Sequence, residues 1–378
     1  MNKLKQYTVV LFTLLATLLS ATLPAQAQTN NKKVLMIVSG YGQGEEQPGY
    51  EFDEFAKAYL VFKDNGLLVD VASPKGGNVE ADEYDPNKSF NAKVLIDKGI
   101  MAKLNNTLKT SAVDAKSYDG VFVVGGKGAM FDLPKDVALQ NIIAQIYQQQ
   151  GSVAAVCHGP AALVDVKLKD GSYLVANKAV NSFTNEEEKL FGKKWINDFD
   201  FMLEDKLTER GANFQSSDIM LSHVAIDQRL ITGQNPTSTT GVAIALVESL
   251  GLTPVKTAVD IEDRTLALIA KFIAGDKSSL QTLRTSADAS GDESQYHIPL
   301  VGMYGFYFLK VADTQIDFEQ ALELMLVAQK QLNNSTLDMK IAETQLKLGQ
   351  TDNAKYTLNQ LITEKPDFEP AQEMLKSL

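Results

Sequence analysis

The chain has 378 residues, 44% of them hydrophobic, and a formal charge of −11 at neutral pH. That length and apolar fraction allow a sizeable core, favour two domains over one and exclude a disordered chain. The acidic balance speaks against nucleic acid and anionic membrane surfaces as partners, since both require clustered Lys and Arg, and a single cysteine excludes an internal disulfide framework.

Residues 1–27 read as a secretory signal peptide. Lys3 and Lys5 precede an apolar run from Tyr7 to Leu23, and Pro24-Ala25-Gln26-Ala27 supplies a small-residue processing site. Cleavage after Ala27 gives an exported protein, periplasmic or secreted, whose charge moves from −11 to −13 as the two lysines leave. An uncleaved anchor fits the A-Q-A sequence less well, and no later stretch is long and apolar enough to span a bilayer. No membrane association is expected after cleavage.

From Lys33 to about Gly251 short β-rich runs alternate with amphipathic helices. Strands are predicted at Val34–Val38, Leu67–Ala72, Val121–Val124, Ser152–Val156 and Arg229–Thr232. Helices are predicted at Phe52–Asn65, closed by Gly66, at Val137–Gln149 and at Thr237–Leu250. Continuous apolar strands separated by helices imply a parallel sheet covered on both faces, with its site beyond the carboxyl ends of the strands. Lys75 to Lys116 interrupts the pattern with polar, weakly periodic sequence, either a roof over the site or an inert surface excursion.

Past Pro254 only helices are predicted. Ile261–Ala274 is amphipathic, Lys277–His297 is polar and loop-like, and further helices lie at Phe318–Leu332, Thr336–Leu348 and Asn353–Thr363. Leu348-Gly349, Ala354, Leu358 and Pro366 fall at the spacing of a tetratricopeptide repeat, and Leu324 and Val327 suggest a degenerate copy thirty-four residues earlier. So few repeats rarely stand alone, and the tail is expected to dock on the preceding domain or on another protein. The fold class is thus α/β, a flavodoxin-like parallel sheet sandwiched by helices over residues 28–253, followed by an all-α tetratricopeptide-like domain over 254–378.

Cys157 ends a buried strand in Ala155-Val156-Cys157-His158-Gly159-Pro160-Ala161. A strand-to-helix turn exposes a side chain above a sheet, and a helix amino terminus lowers a thiol's pKa. An inert buried thiol is the common alternative; the small flanking residues and adjacent His158 favour a reactive one. Gly125-Gly126 come after another strand, where unhindered backbone N–H groups can face a developing oxyanion, although a simple turn has the same composition. His223, in a predicted strand, reads as structural, and His297 lies in the tail. Three His and one Cys give no metal-ligand spacing, no dinucleotide or phosphate fingerprint occurs, and no cofactor is expected.

These segments resemble the ThiJ/PfpI superfamily, with its class I glutamine-amidotransferase-like fold. The resemblance runs from about Lys33 to Leu250. It rests on Ala-Val-Cys-His-Gly-Pro-Ala-Ala-Leu at 155–163, Val-Gly-Gly-Lys-Gly-Ala-Met-Phe-Asp-Leu-Pro at 124–134, Phe-Thr-Asn-Glu-Glu-Glu at 183–188 and Leu-Ile-Thr-Gly-Gln-Asn-Pro at 230–236. The insertion and the stretch Phe62 to Gly77, with Ala-Ser-Pro-Lys-Gly-Gly, are similar to the glyoxalase III branch, which also contains stress chaperones. The resemblance implies Cys157 as nucleophile, His158 as its helper, Glu188 as the third triad acid and Glu54 as the carboxylate meeting the thiol, with Asp53 as the rival to Glu54. It also implies that the amides of Gly126 and His158 form an oxyanion hole.

Lys127 and Phe131 stand where that branch usually has His and Trp. The implied activity is glutathione-independent conversion of methylglyoxal, a small reactive carbonyl, to lactate by a lyase of the D-lactate dehydratase kind. An exported cysteine amidase or peptidase, and a stress chaperone or redox sensor, are the alternatives. A homodimer is common in the family, and an appended tail can block or replace such an interface.

Overall fold

The computed structural model describes residues 32–44, 46–288 and 295–378, so the leader-like residues 1–27 lie outside the described residues. The first half of the α/β body runs β1 (Lys33–Ile37), α1 (Phe52–Asp64), β2 (Leu68–Ser73), α2 (Ser89–Ile96), α3 (Lys98–Asn105) and β3 (Leu108–Lys109). Next come β4 (Gly120–Val123), α4 (Ala129–Asp132), α5 (Val137–Gln148) and β5 (Ser152–Val156). The body ends with β6 (Ala179–Val180), α6 (Asn185–Phe191), α7 (Leu203–Glu209), β7 (Asn213–Phe214), β8 (Val224–Asp227), β9 (Leu230–Gly233) and α8 (Thr239–Ser249).

A seven-stranded sheet has the order β3-β2-β1-β4-β5-β9-β8. Its pairs are parallel except at one edge, where β8 runs antiparallel to β9. That edge departs from the all-parallel expectation because only Gln228 and Arg229 separate the two strands, and so short a connection can only close a hairpin. Alternate residues of β1 face opposite layers: Val34 and Met36 join the core with α1 and α8, whereas Leu35 and Ile37 join the core with α5. Both faces are therefore covered, as the unbroken apolar run requires. The chain turns from one side of β1 to the other between β3 and β4, and the carboxyl ends of β1, β4 and β5 border the crevice so formed.

The insertion is more regular than its polar composition suggested. It folds as α2, α3 and the edge strand β3, and Phe90, Val94, Ile100 and Leu104 bury into the α1 side of the core.

Among the described residues the C-terminal region holds seven helices: α9 (Ile261–Ile273), α10 (Lys277–Asp288), α11 (Ile298–Phe308), α12 (Gln315–Leu332), α13 (Ser335–Lys347), α14 (Thr351–Glu364) and α15 (Glu369–Lys376). Residues 277–288, loop-like in composition, are helical; Leu280 and Leu283 are the buried apolar positions of an otherwise polar stretch. The helix α11 has no counterpart among the predicted elements. Its sequence is apolar without a period, and Gly302 and Gly305 let it lie close to α12: a Cβ added at Gly302 would come within 2.6 Å of Ala328 Cβ, and one at Gly305 within 2.8 Å of the Ala321 carbonyl. His297 caps this helix, its Nδ1 accepting the Leu300 N–H at 3.0 Å. Of the positions of the repeat-like spacing, Ala354 and Leu358 are buried, and Leu358 packs in one cluster with Leu361, Ala342 and Ala371. No described helix is long and apolar enough to cross a membrane.

Candidate active site

The site is assembled from the residue immediately after β5, the loop after β4, and one side chain each from α1 and α6. Cys157 has φ +59°, in the left-handed region that a side chain with a Cβ seldom occupies. Its N–H donates to the Gly233 carbonyl at 2.9 Å and its own carbonyl accepts the Phe183 N–H at 2.9 Å, so neighbouring segments hold the strained turn. The chain leaves His158 in a 3₁₀ turn, Gly159–Leu163, rather than the α-helix expected from sequence.

That difference changes the electrostatics. Cys157 is 4% exposed, and burial, then the charge of Glu54, pushes its thiol well above the usual cysteine range. The expected lowering by a helix amino terminus is overruled, because desolvation penalises the thiolate and a short 3₁₀ turn offers little dipole to oppose it. The Gly126 N–H acts in the other direction, donating toward the sulfur.

Glu54 is fully buried, and its Oε2 accepts the Gly125 N–H at 2.7 Å. Oε1 has no oxygen or nitrogen partner. The carboxyl lies within hydrogen-bonding reach of the Cys157 thiol, and burial, then the charge of Glu51, raises its pKa strongly. An ionised Glu54 therefore makes the thiol still harder to deprotonate. The rival Asp53 is placed elsewhere, bonded to Lys88 Nζ at 2.9 Å and Asn91 Nδ2 at 2.6 Å.

On the other side of the sulfur, His158 Nδ1 is 3.3 Å from Sγ and Nε2 is 2.7 Å from Glu188 Oε2. The start of α6 explains why Glu188 points inward. Thr184 Oγ1 accepts the Glu187 N–H, and Glu187 Oε2 accepts the Thr184 N–H, a capping box that fixes the first turn. The Glu187 carboxylate is spent on structure: its Oε1 also accepts from Met220 N–H, Gln234 Nε2 and Asn235 Nδ2. Adjacent carboxylates thus do different work, one tying the loop near Met220 to β9 and the other meeting His158.

The glycine pair is required by space. A Cβ at Gly125 would stand 2.7 Å from Glu54 Oε2 and 2.8 Å from Cys157 Cβ. Gly126 has φ +91°, and a Cβ there would stand 2.4 Å from the Glu51 nitrogen. Without these glycines the amino end of α1 could not approach the nucleophile turn.

An aromatic wall borders His158. Its ring lies 4.6 Å from Phe183 and 6.1 Å from Phe199. Phe199 meets Phe131 at 5.4 Å, and Phe131 stacks on Tyr41 at 4.4 Å and meets Trp195 edge-on at 6.2 Å. The one tryptophan of the chain thus stands against the side chain at position 131. Motif spacing did not single out Trp195, although its rarity was a signal. Asp132 anchors the loop bearing Tyr41, accepting from Ser39 Oγ and Gly40 N–H. A cleft of about 1270 Å³ is lined by Glu51, Lys127, Trp195 and the insertion residues Glu80 to Tyr84. The insertion therefore walls this cleft. Lys127 acts on Glu51, whose pKa is raised to about 7 by burial and by Asp53 and Asp82 against the lowering effect of the lysine.

His223 lies outside this group, just before β8, with its N–H donating to Ser238 Oγ. Among the described residues no cluster of His, Cys, Asp and Glu could hold a metal ion.

Residues 32–249 match the model of the DJ-1/PfpI family. The chain belongs to that family. It is similar to the glutathione-independent glyoxalase hsp3102 of Schizosaccharomyces pombe, with 32% identity over 243 residues covering 58% of this chain and 98% of that one. Glutathione-independent glyoxalase HSP31 of Saccharomyces cerevisiae is 33% identical over 235 residues, again 58% and 98%. Among solved structures, Rapid Encystment Protein 24 kDa of Francisella tularensis superposes with a TM-score of 0.54 at 33% identity, covering 58% of this chain and 99% of that one. Glyoxalase III of Candida albicans gives 0.54 at 24% identity, over 58% and 97%, which supports the shared fold. The family match ends at residue 249, before the C-terminal helices.

Proposed function

We propose that this protein is a glutathione-independent glyoxalase, a lyase of the D-lactate dehydratase kind that turns methylglyoxal and water into lactate. The observation that carries the reading is the sealed pairing of the Cys157 thiol with the Glu54 carboxyl beside the Gly126 N–H. The names of the yeast relatives support it.

In this mechanism the Cys157 sulfur adds to the aldehyde carbon, and the thiol proton passes to the neighbouring base as the S–C bond forms. The hemithioacetal oxygen is stabilised by the N–H groups of Gly126 and His158. Glu54 then removes the proton from that carbon and delivers it to the adjacent carbon, while the hemithioacetal hydroxyl proton moves to the ketone oxygen, which converts the hemithioacetal and ketone into a thioester bearing a hydroxyl. Water cleaves the S–C bond, releasing lactate and restoring the thiol. A base held in a water-free pocket suits this transfer, because the proton is not exchanged away between the two carbons. His158, oriented by Glu188, takes and returns the thiol proton. The leader-like residues 1–27 favour a site of action outside the cytoplasm.

The test is lactate formation by the mature protein from methylglyoxal without added thiol, beside hydrolysis of model amides. Lactate production by wild type and none by Cys157→Ser is the expected result. Amide hydrolysis that depends on Cys157, with no lactate, would reassign the site to acyl transfer.

A further inference from the structure

We propose that the C-terminal helices form a brace for the catalytic group, gripping the two helices that carry the acids on either side of Cys157. The α/β body and the tail belong to one compact unit. The family match stops before the tail, so this brace is particular to chains with such an extension. Two separate contacts make it.

The first is on α1. Lys57, three residues after Glu54 and hence next to it on the helix surface, pairs with Asp263 of α9 at 2.7 Å, and both side chains are largely buried. Lys88 bridges Asp53 of α1 and Glu262 of α9 at 2.9 Å and 3.0 Å. The first turn of α1, where Glu54 sits, is thus tied to the first turn of the tail. Further along, the Val255 N–H donates to Asn65 Oδ1 at 2.8 Å, closing the connection past the end of α1.

The second is on α6. This helix has seven residues, too few to be stable by itself. Its amino end is held by the capping box, and its carboxyl end is held from outside. Phe191, one turn after Glu188, meets Tyr307 of α11 edge to face at 4.9 Å. Leu221, next to the Met220 whose N–H donates to Glu187, buries in the tail's core with Leu266, Ile269 and Tyr304. Loss of the Tyr307 contact lets the last turn of α6 fray, and Glu188 lies in that turn's reach. Phe191 and Tyr307 are accordingly positioning residues, acting through Glu188 on His158 and so on the sulfur.

The test uses the full-length protein with Tyr307→Ala and Tyr307→Phe and two readouts. The first, the pH profile of Cys157 alkylation by iodoacetamide, needs no knowledge of the substrate. The second rests on the glyoxalase reading and is the split between kcat and KM for methylglyoxal. Tyr307→Ala is expected to shift the alkylation midpoint by about half a unit or more and to lower kcat roughly tenfold with little change in KM, in keeping with indirect couplings of this kind. Tyr307→Phe keeps the ring and should match wild type. Should Tyr307→Ala melt below the assay temperature, Phe191→Leu carries the same expectations with apolar bulk retained. An unchanged alkylation profile and kcat in the ring-less variant would overturn the brace, as would equal losses in Tyr307→Phe. A shifted profile in a protein that makes no lactate at all would leave the brace standing and remove the glyoxalase reading.

Discussion

The two flanks of the Cys157 sulfur are built from equally hidden carboxyls with opposite surroundings. Glu54 is 0% exposed and Glu188 is 4% exposed, yet Glu54 meets a backbone N–H and a thiol whereas Glu188 meets an imidazole. Burial sets the cost of a charge, and the partner decides what the group then does about it. Facing no cation, Glu54 binds a proton more tightly than a solvated carboxyl does and can trade it with the sulfur; Glu188 has a ring nitrogen to hold and serves as an orienting group.

Glu54→Gln is the severest way to break this contrast. It should lower kcat roughly a hundredfold or more, the usual contribution of a positioned proton carrier, with KM little changed. The same change removes the like charge that holds the thiol protonated. Alkylation of Cys157 at pH 7 should therefore quicken while turnover fails, and slower alkylation would contradict the pairing.

Glu188→Gln sharpens the other flank. Loss of one hydrogen bond to a charged group, worth about 1.5–3 kcal/mol, corresponds to a roughly tenfold to hundredfold drop in kcat. A pH profile for turnover that stays where it was would show that His158 does not depend on this acid.

Glu51→Gln gives the smallest effect and tests the electrostatics alone. The Glu51 carboxyl is raised to about 7 in the fold from 4.5, so the folded state binds the extra proton between those values. Its contribution to stability is present below about pH 4.5 and is lost as pH rises through 7. Melting temperatures of Glu51→Gln should fall less steeply than wild type across that window, and parallel curves would refute the assignment.

Much of the body was legible because its signals are local. The run Val34–Val38 is apolar at each position, and only a strand covered on both faces tolerates that; Gly66, with φ +70°, ends α1 where the sequence placed it. The helix α11 was not legible, since its glycines matter through close approach to α12, a fact about another segment. The site divides in the same way. Cys157 and His158 stand out in the chain itself, while Glu54 could be preferred over Asp53 only through the family resemblance, and the structure separates them by giving Asp53 to Lys88 and Asn91. The state of the thiol was misjudged from sequence because it depends on Glu54 and on depth, neither of which a strand-to-turn motif encodes.

Trp195 provides a built-in optical probe. As the chain's sole indole, part-exposed at the rim beside Phe131, it puts the entire tryptophan emission of the protein within a few side chains of His158. Occupancy of the crevice can therefore be tracked as a fluorescence change in the unlabelled protein, without waiting for product to form.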